Sequence, residues 1–207
     1  MGRIDLRVPF AEKGEAKRRG ARWDTGQKIW YVPGGLDPAP FQQWRYEPPA
    51  PNIRAHTYFL AQNRRECWRC DALTTVHAIV LPGGHERLYV ADEPSDDEWE
   101  VIAAPTTLLY VAHMQEPGPT RLRTLAPRYK LAYSQAVHQS YWMNHCERCD
   151  ARLGDYFTGS EFDAAFNPVT RFAAGEICLR LIQEPFGASC GGYAEDMPLF
   201  NFMKQCE

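Results

Sequence analysis

The chain has no long apolar run and none of the short motifs typical of common enzyme classes. No uninterrupted hydrophobic stretch approaches the roughly 20 residues that span a bilayer, so we expect no membrane segment. The patterns Gly-x-x-x-x-Gly-Lys-Ser/Thr, His-Glu-x-x-His and Gly-x-Ser-x-Gly are all absent. The zinc deaminase pattern is missing as well. We therefore predict no catalytic residues and find no sign of a small-molecule substrate.

Charge of either sign is modest overall but is unevenly distributed. The 207 residues carry a formal net charge of -3. Residues 1–48 hold nine Lys and Arg against six Asp and Glu, which leaves -6 for the remainder. The first residues, Met1–Arg7, lack the apolar stretch of a signal peptide, so we expect a cytoplasmic protein in which stable disulfides are rare.

Four of the seven cysteines form two Cys-x-x-Cys pairs, a spacing that lets a backbone knuckle turn round one metal ion. The pairs are Cys67 with Cys70 and Cys146 with Cys149. Together they supply the four thiolates of a tetrahedral, structural zinc site, which leaves no coordination position for a substrate. His145 could replace one thiolate or hydrogen-bond to one. Four-sulfur iron and free thiols are the competing interpretations.

The other three cysteines, Cys178, Cys190 and Cys206, have no partner at a recognisable spacing. We predict that they are small buried hydrophobic residues. Cys190 with His138 is the best nucleophile and base that the chain offers, and this pair defines an enzyme hypothesis.

A proline-rich segment, residues 47–51, predicts a linker because proline cannot donate the hydrogen bonds of helices and strand ladders. It separates a small module, residues 1–46, from a zinc-binding domain, residues 52–207. Alternating and helical patterns in the module predict the order strand, helix, strand, strand. Frequent Pro and Gly favour short strands in the rest. We predict an α+β protein: a small β-α-β-β N-terminal module plus a mostly antiparallel β, zinc-ribbon-like domain with few short helices.

Several turns follow from local sequence. Gly20 stands where a left-handed helix C-cap is expected, and Gly26 is expected to supply a positive φ in the next turn. Residues 82–85 predict a loop that joins two strands into a hairpin. The acidic segment 92–98 indicates a solvated loop, with phosphate mimicry or cation binding as the alternative.

Basic and aromatic residues cluster in the module, as they do on nucleic-acid-binding surfaces. The residues that we predict to contact DNA or RNA are Lys17, Arg18, Arg19, Arg22, Trp23, Lys28 and Trp30. The alternative is that the tryptophans form the core of the module and that the basic helix is merely solvated. The rim of the knuckles is also locally basic, through Arg64, Arg65, Arg69, Arg148 and Arg152.

The module resembles a known family over about residues 3–46. The residues that carry the likeness are Val8-Pro9-Phe10, Gly20-Ala21-Arg22-Trp23-Asp24 and Trp30-Tyr31-Val32-Pro33. They are similar to a small domain of unknown function that recurs as an accessory in conjugative-plasmid DNA primases and antirestriction-type proteins. The segments 140–146 and 154–157 resemble uncharacterised bacterial proteins that pair this module with a zinc knuckle. The resemblance implies a bacterial mobile-element protein and brings no catalytic residues.

Three functions from different classes are consistent with these features. The first is a zinc-stabilised, nucleic-acid-associated accessory protein, which the resemblance favours. The second is an adaptor or inhibitor that binds a protein of a host system. The third is a Cys/His-dependent enzyme, which rests on the pair of Cys190 and His138 alone.

Overall fold

The computed structural model describes residues 2–90, 98–195 and 197–206. Mixed α and β structure, with strands predominating and helices few and short, confirms the coarse fold class. The chain divides into two compact units. We call Met1–Pro49 with Ala132–Ser140 the module unit, and Ala50–Leu131 with Tyr141–Glu207 the knuckle unit. No helix among the described residues is long and apolar enough to cross a membrane.

The module unit is built on a small antiparallel sheet with one helix. Its elements are β1 (Ile4–Leu6), α1 (Lys13–Arg18), β2 (Arg22–Asp24) and β3 (Ile29–Val32), with 3-10 turns at Phe10–Glu12 and Ala39–Trp44. The strand order is β1-β3-β2. α1 ends because Gly20 adopts the predicted left-handed conformation, with a φ of 103°.

The turn between β2 and β3 corrects the prediction for Gly26. Lys28, with a φ of 57°, takes the positive conformation instead. The physical reason is an Asx-type turn: Asp24 Oδ1 accepts hydrogen bonds from the backbone N–H groups of Gly26 and Gln27, both at 2.9 Å. The side chain of Asp24 therefore shapes the first half of the turn and moves the strained residue to its end.

The core of the module unit lies on one face of its sheet. Its buried members are Leu6, Ala16, Ala21, Val32, Phe41 and Trp44. The indole Nε1 of Trp44 donates to Glu12 Oε2 at 2.5 Å, so the one polar atom of this buried ring is paired. Residues 132–140 belong to this unit, where the Ser140 hydroxyl donates to the Gln27 carbonyl at 2.7 Å.

The remaining strands form two sheets among the described residues. They are β4 (Ile53–Ala55), β5 (Tyr58–Glu66), β6 (Leu73–Leu81), β7 (His85–Tyr89), β8 (Glu98–Ile102), β9 (Thr106–Met114), β10 (Tyr129–Ser134), β11 (Gln139–His145), β12 (Arg152–Leu153), β13 (Cys178–Ile182), β14 (Phe186–Ala194) and β15 (Lys204–Cys206). The larger sheet has the order β15-β13-β5-β6-β9-β14-β4-β7-β8, and the smaller has the order β10-β11-β12. The helices are α2 (Gly118–Leu125) and α3 (Arg171–Gly175), with a π-helical turn at Tyr156–Ser160 and a 3-10 turn at Phe200–Phe202.

The predicted hairpin around residues 82–85 is wrong. β6 pairs with β5 and β9, whereas β7 pairs with β4 and β8. The connection between β6 and β7 packs against the backbone of Ala103 rather than closing a tight turn. A Cβ at Gly83 would lie 2.1 Å from the carbonyl oxygen of Ala103. Of the acidic segment 92–98, residues 92–97 lie outside the described residues, and Glu98 begins β8.

Two apolar clusters fill the knuckle unit. One centres on Ile79, Leu108 and Phe186. The other contains Cys67 and Cys146 together with Val76, Leu153 and Phe166. The candidate metal ligands are thus part of a hydrophobic core.

The prediction that Cys178 and Cys206 are unpaired small hydrophobic residues is wrong. A disulfide joins them, between β13 and β15. These strands run parallel, with Arg180 in register with Cys206, and the two Cα atoms of the bridged residues lie 5.8 Å apart. The pairing depends on where β15 lies in the sheet, and no local spacing reveals it.

Candidate metal centre

The first knuckle is a short turn between β5 and β6. The backbone N–H of Cys67 donates to the carbonyl of Ala72 at 3.0 Å, and that of Asp71 donates to the carbonyl of Cys67 at 2.9 Å. Asp71 has a φ of 55°. The chain therefore doubles back tightly enough to bring Cys67 and Cys70 to one point.

The second knuckle, between β11 and β12, repeats this backbone. The N–H of Cys146 donates to Ala151 at 2.9 Å, the N–H of Asp150 donates to Cys146 at 3.0 Å, and Asp150 has a φ of 56°. Both knuckles read Cys-x-Arg-Cys-Asp-Ala, residues 67–72 and 146–151. This shared hexapeptide is a signal that the predictions left unused: in both copies Asp takes the left-handed conformation, which it tolerates better than most residues.

The four cysteine sulfurs lie together. All four Sγ atoms are within 4.8 Å of one another. Cys67 Sγ lies 3.6 Å from Cys149 Sγ, and Cys70 Sγ lies 3.7 Å from Cys146 Sγ. Zinc–sulfur bonds of about 2.3 Å in a tetrahedron put sulfurs about 3.8 Å apart. The donor set and its spacing therefore fit a four-thiolate metal site, and these two distances link the first cysteine of each knuckle to the second of the other.

The pKa values of two of these thiols are shifted from their ordinary value, in opposite directions. Burial disfavours the Cys146 thiolate, but the backbone N–H groups of Cys149 and Arg148 outweigh this effect and lower its pKa to about 6. The N–H of Ala151 favours the Cys149 thiolate, yet burial and the other three sulfurs raise the pKa of this thiol to about 12. Four sulfurs this close ionise together only around a cation, and a divalent metal supplies that charge.

The second residue of each knuckle makes a hydrogen bond to the strand that follows the other knuckle. The indole Nε1 of Trp68, which follows Cys67, donates to the carbonyl of Arg152 at 2.9 Å. Glu147, which follows Cys146, accepts from the backbone N–H of Thr75 at 3.1 Å through Oε2. Each knuckle is therefore tied to the strand that leaves the other one.

A buried amide anchors the strand that enters the second knuckle. Asn144 is 1% exposed, and its Oδ1 accepts from the N–H of His77 at 2.7 Å while its Nδ2 donates to the carbonyl of His77 at 2.8 Å. The amide thus pairs with both backbone groups of one residue in β6, as a neighbouring strand would. His145 is also buried, and its Nδ1 lies 3.1 Å from the carbonyl of Met143, apart from the cluster of four cysteines.

The predicted nucleic-acid residues occupy different surfaces of the module unit. Trp23 and Trp30 are paired across β2 and β3, with ring centroids 5.6 Å apart, and Trp23 is 43% exposed. Arg22 precedes Trp23 in an extended strand, so its side chain projects from the opposite face of the sheet. Lys17 and Arg18, on α1, and Lys28, in the turn, are exposed and make no ion pair within the described part of the chain.

Arg19 is the predicted contact residue that the fold already engages. Its guanidinium donates to Glu15 and to the carbonyl of Pro40, and it lies over the ring of Trp44 at 5.1 Å from the centroid. The structure therefore brings the two tryptophans together and leaves four cations, Lys17, Arg18, Arg22 and Lys28, exposed, whereas it uses Arg19 within the module.

The proposed nucleophile is buried and held as a structural residue. Cys190 is 5% exposed, and burial raises the pKa of its thiol to about 12, which disfavours the reactive thiolate. Its backbone N–H donates to Asn52 Oδ1 at 3.0 Å, and its carbonyl accepts from Asn52 Nδ2 at 2.8 Å. His138, on the turn between β10 and β11, belongs to the other unit.

Comparison with known proteins confirms the resemblance of the module. Residues 3–45 match a family described as "Domain of unknown function (DUF5710)". One relative, "DNA primase TraC" of Escherichia coli, is 51% identical over 90 residues, which is 43% of this chain and 7% of the relative. Another, also "DNA primase TraC" of Escherichia coli, is 59% identical over 39 residues, which is 19% of this chain and 3% of the relative.

These matches are partial on both sides. The chain spans less than a tenth of the length of these curated relatives. The 90-residue match is longer than the matched family segment, so some of the similarity lies outside residues 3–45. No solved structure matches the chain.

Proposed function

We propose that this protein is a non-enzymatic, zinc-stabilised binding protein that acts as a nucleic-acid-associated accessory of a bacterial mobile element. The observation that carries the proposal is the closed cluster of four cysteine sulfurs built into a hydrophobic core. Four protein ligands fill a tetrahedral ion, so the metal holds the fold together and activates no water. We take the ligands to be Cys67, Cys70, Cys146 and Cys149, and the fold around them to be zinc-ribbon-like.

Nucleic acid is the partner that the similarity and the charge support. The relatives are named as DNA primases. Exposed Lys17, Arg18, Arg22 and Lys28 could pair with phosphates, and the exposed part of Trp23 could stack on a base. We also propose that the accessory module ends at the proline-rich segment 47–51, and that the protein acts in the cytoplasm.

A titration of the zinc-loaded full chain against labelled single-stranded and duplex DNA and RNA tests the proposal. Fluorescence anisotropy at several salt concentrations should give a log affinity that falls linearly with log salt, because phosphate neutralisation releases counterions. Replacing Arg18 and Arg22 with Gln should weaken binding and reduce the slope. Gln42→Ala, exposed in the same unit, is the matched neutral control. Absence of binding even at the lowest salt would falsify the nucleic-acid assignment.

One structural feature favours a second candidate, an adaptor or inhibitor that binds a host protein. A groove of about 370 Å³ in the knuckle unit is lined by two exposed aromatics, Phe157 and Phe172, and by the carboxylates of Glu161, Asp163 and Glu176. We call it the acidic groove. Exposed aromatics in a concave site are typical of protein and peptide contacts. A specific partner retained by the wild type and lost by Phe172→Ala, with no DNA required, would support this candidate over the first.

A further inference from the structure

Trp68 is an exposed indole with a fixed orientation. The side chain is 68% exposed, yet its Nε1 donates to the carbonyl of Arg152 at 2.9 Å, and Trp68 is followed by metal ligand Cys70 two residues on. Its polar atom is satisfied inside the protein, so what faces solvent is the apolar ring. A large aromatic held still in water loses little conformational freedom when a flat partner stacks on it.

Exposed cations occur on the knuckle that carries this ring and on the neighbouring knuckle. Arg69 is the next residue, Arg152 holds the indole through its carbonyl, and Arg148 occupies in the second knuckle the position that Arg69 occupies in the first. All three are exposed and make no ion pair within residues 2–90, 98–195 and 197–206. A four-thiolate zinc centre carries a net double negative charge that these arginines also offset. Their exposure leaves the guanidinium groups accessible to phosphate.

Part of the acidic charge of the knuckles is engaged elsewhere. Glu147 accepts from the N–H of Thr75 at 3.1 Å, and Asp150 lies 3.1 Å from both Arg128 and Lys130. The carboxylate of Asp150 is therefore already neutralised, whereas Glu66, Asp71 and Glu147 are exposed and make no ion pair within the described part of the chain. The five arginines of the rim outnumber these three carboxylates.

We infer that Trp68, Arg69, Arg148 and Arg152 form a contact surface for single-stranded nucleic acid, on which one base stacks against the Trp68 ring while the arginines pair with the flanking phosphates. The choice of nucleic acid as the occupant rests on the proposed function. The strand is single because a base must be unstacked to lie on an exposed ring. The acidic groove is disfavoured for the same ligand, since its three carboxylates outnumber Arg64 and Arg65, which also line it, and repel phosphate.

The test is anisotropy of zinc-loaded full-length variants with labelled oligo(dT) and with a duplex of the same length. Trp68→Ala should weaken binding to the single strand by about 5- to 150-fold, the usual worth of one stacked base, and affect the duplex less. Trp68→Phe keeps a stacking face but lacks the Nε1 donor to the carbonyl of Arg152, so its loss of affinity should be smaller than that of Trp68→Ala. Phe172→Ala, a more exposed aromatic in the acidic groove, is the control and should change nothing.

Arginine variants provide an independent readout. Arg69→Gln with Arg152→Gln should reduce the slope of log affinity against log salt by about 0.7 for each charge removed. If Trp68→Ala lowers the metal content, the arginine variants alone test the inference. An unchanged slope of log affinity against log salt in these variants then overturns it. Wild-type binding that survives Trp68→Ala at full metal content overturns the Trp68 surface but leaves the proposed function standing. Failure of the wild type to bind any nucleic acid overturns both.

Discussion

The first knuckle is carried by long paired strands, whereas the second lies between strands that pair over a very short length. β5 and β6 form eight residue pairs that run up to Glu66 and Leu73. β11 and β12 form two, Asn144 with Leu153 and His145 with Arg152. The two turns nevertheless have the same backbone hydrogen bonds. The same knuckle backbone can therefore form with or without a long ladder of paired strands beside it.

Polar side chains take the place of the ladder beside the second knuckle, and of these Asn144 and Asp155 are buried. Asn144 pairs with both backbone groups of His77, Glu147 accepts from Thr75, and Asp155, just beyond β12, accepts from the N–H of Tyr110 at 2.6 Å. Side chains thus supply the contacts that a longer strand would have made. The difference predicts that polar substitutions around the second knuckle cost more than equivalent ones around the first.

The largest effect should come from the ligands, and it should be equal in the two knuckles. Cys67→Ser and Cys146→Ser each remove one buried ligand, so both should lose the metal and several kcal/mol of stability, lowering Tm by roughly 10 °C or more. Metal content by mass spectrometry and thermal melts measure this. Cys190→Ala, a buried cysteine outside the cluster, should keep its metal. A Cys67→Ser or Cys146→Ser variant with full metal content would contradict the shared site.

The next effect is a pH dependence at the exit of the second knuckle. Burial raises the pKa of Asp155 to about 7, against 3.8 for the free side chain. Between these values the folded state holds a proton that the unfolded state has lost, so stability falls as pH rises, by at most about 4 kcal/mol. Asp155→Asn keeps the acceptor for Tyr110 and should flatten this part of the profile.

Denaturant titrations from pH 4 to pH 8 measure that profile. Asp163→Asn, an exposed carboxyl in the same unit, is the control and should leave the slope unchanged. The assignment is contradicted if Asp155→Asn retains the wild-type pH dependence.

Asn144→Ala should come third, because it leaves both backbone groups of His77 buried without a partner. A loss of about 2–4 kcal/mol is expected from two unsatisfied groups. Urea unfolding of the metal-loaded protein measures it. The matched variant is Gln62→Ala, an exposed position on β5 that is in register with His77 and should cost little. Comparable losses from the two variants would remove the distinction between the knuckles.

The smallest effect compares the equivalent residues Glu147 and Trp68. Glu147→Ala leaves the N–H of Thr75 without its acceptor and should cost about 1 kcal/mol, whereas Glu147→Gln keeps an acceptor and should cost less. Trp68→Ala should cost about 0.5 kcal/mol or less, since an exposed ring contributes little burial. Melts of the three variants give the order, and a larger loss for Trp68→Ala would reverse the roles assigned to them.

Some local features were predictable, and long-range pairing was not. Two Cys-x-x-Cys pairs predict a four-cysteine cluster because the spacing within each pair sets the knuckle geometry. The C-cap at Gly20 follows from the same kind of local rule. The strand partners of β6 and the bond between Cys178 and Cys206 depend on sheet order, which no short pattern encodes.

Exposure was the other property beyond reach of the sequence. Six tryptophans look alike in sequence, yet Trp44 is 2% exposed and Trp68 is 68% exposed. What separates them is the environment: Trp44 is covered by the module core, whereas the turn of the first knuckle leaves the ring of Trp68 in solvent. Which tryptophans are accessible for contact with a partner is therefore known only from the folded structure.

The separation of the two knuckles along the chain also orders events during synthesis. Cys70 and its neighbour Cys146 are 76 residues apart. At about 5–20 residues per second, a ribosome makes the second half of the site roughly 4–15 s after the first. A nascent chain therefore emerges with one knuckle exposed and only two thiols to offer, and a tetrahedral ion is captured securely only after the intervening strands have been made. At the proposed zinc site, metal occupancy would thus report on completion of the chain through residue 149, and a product terminated earlier would lack two of the four thiol ligands.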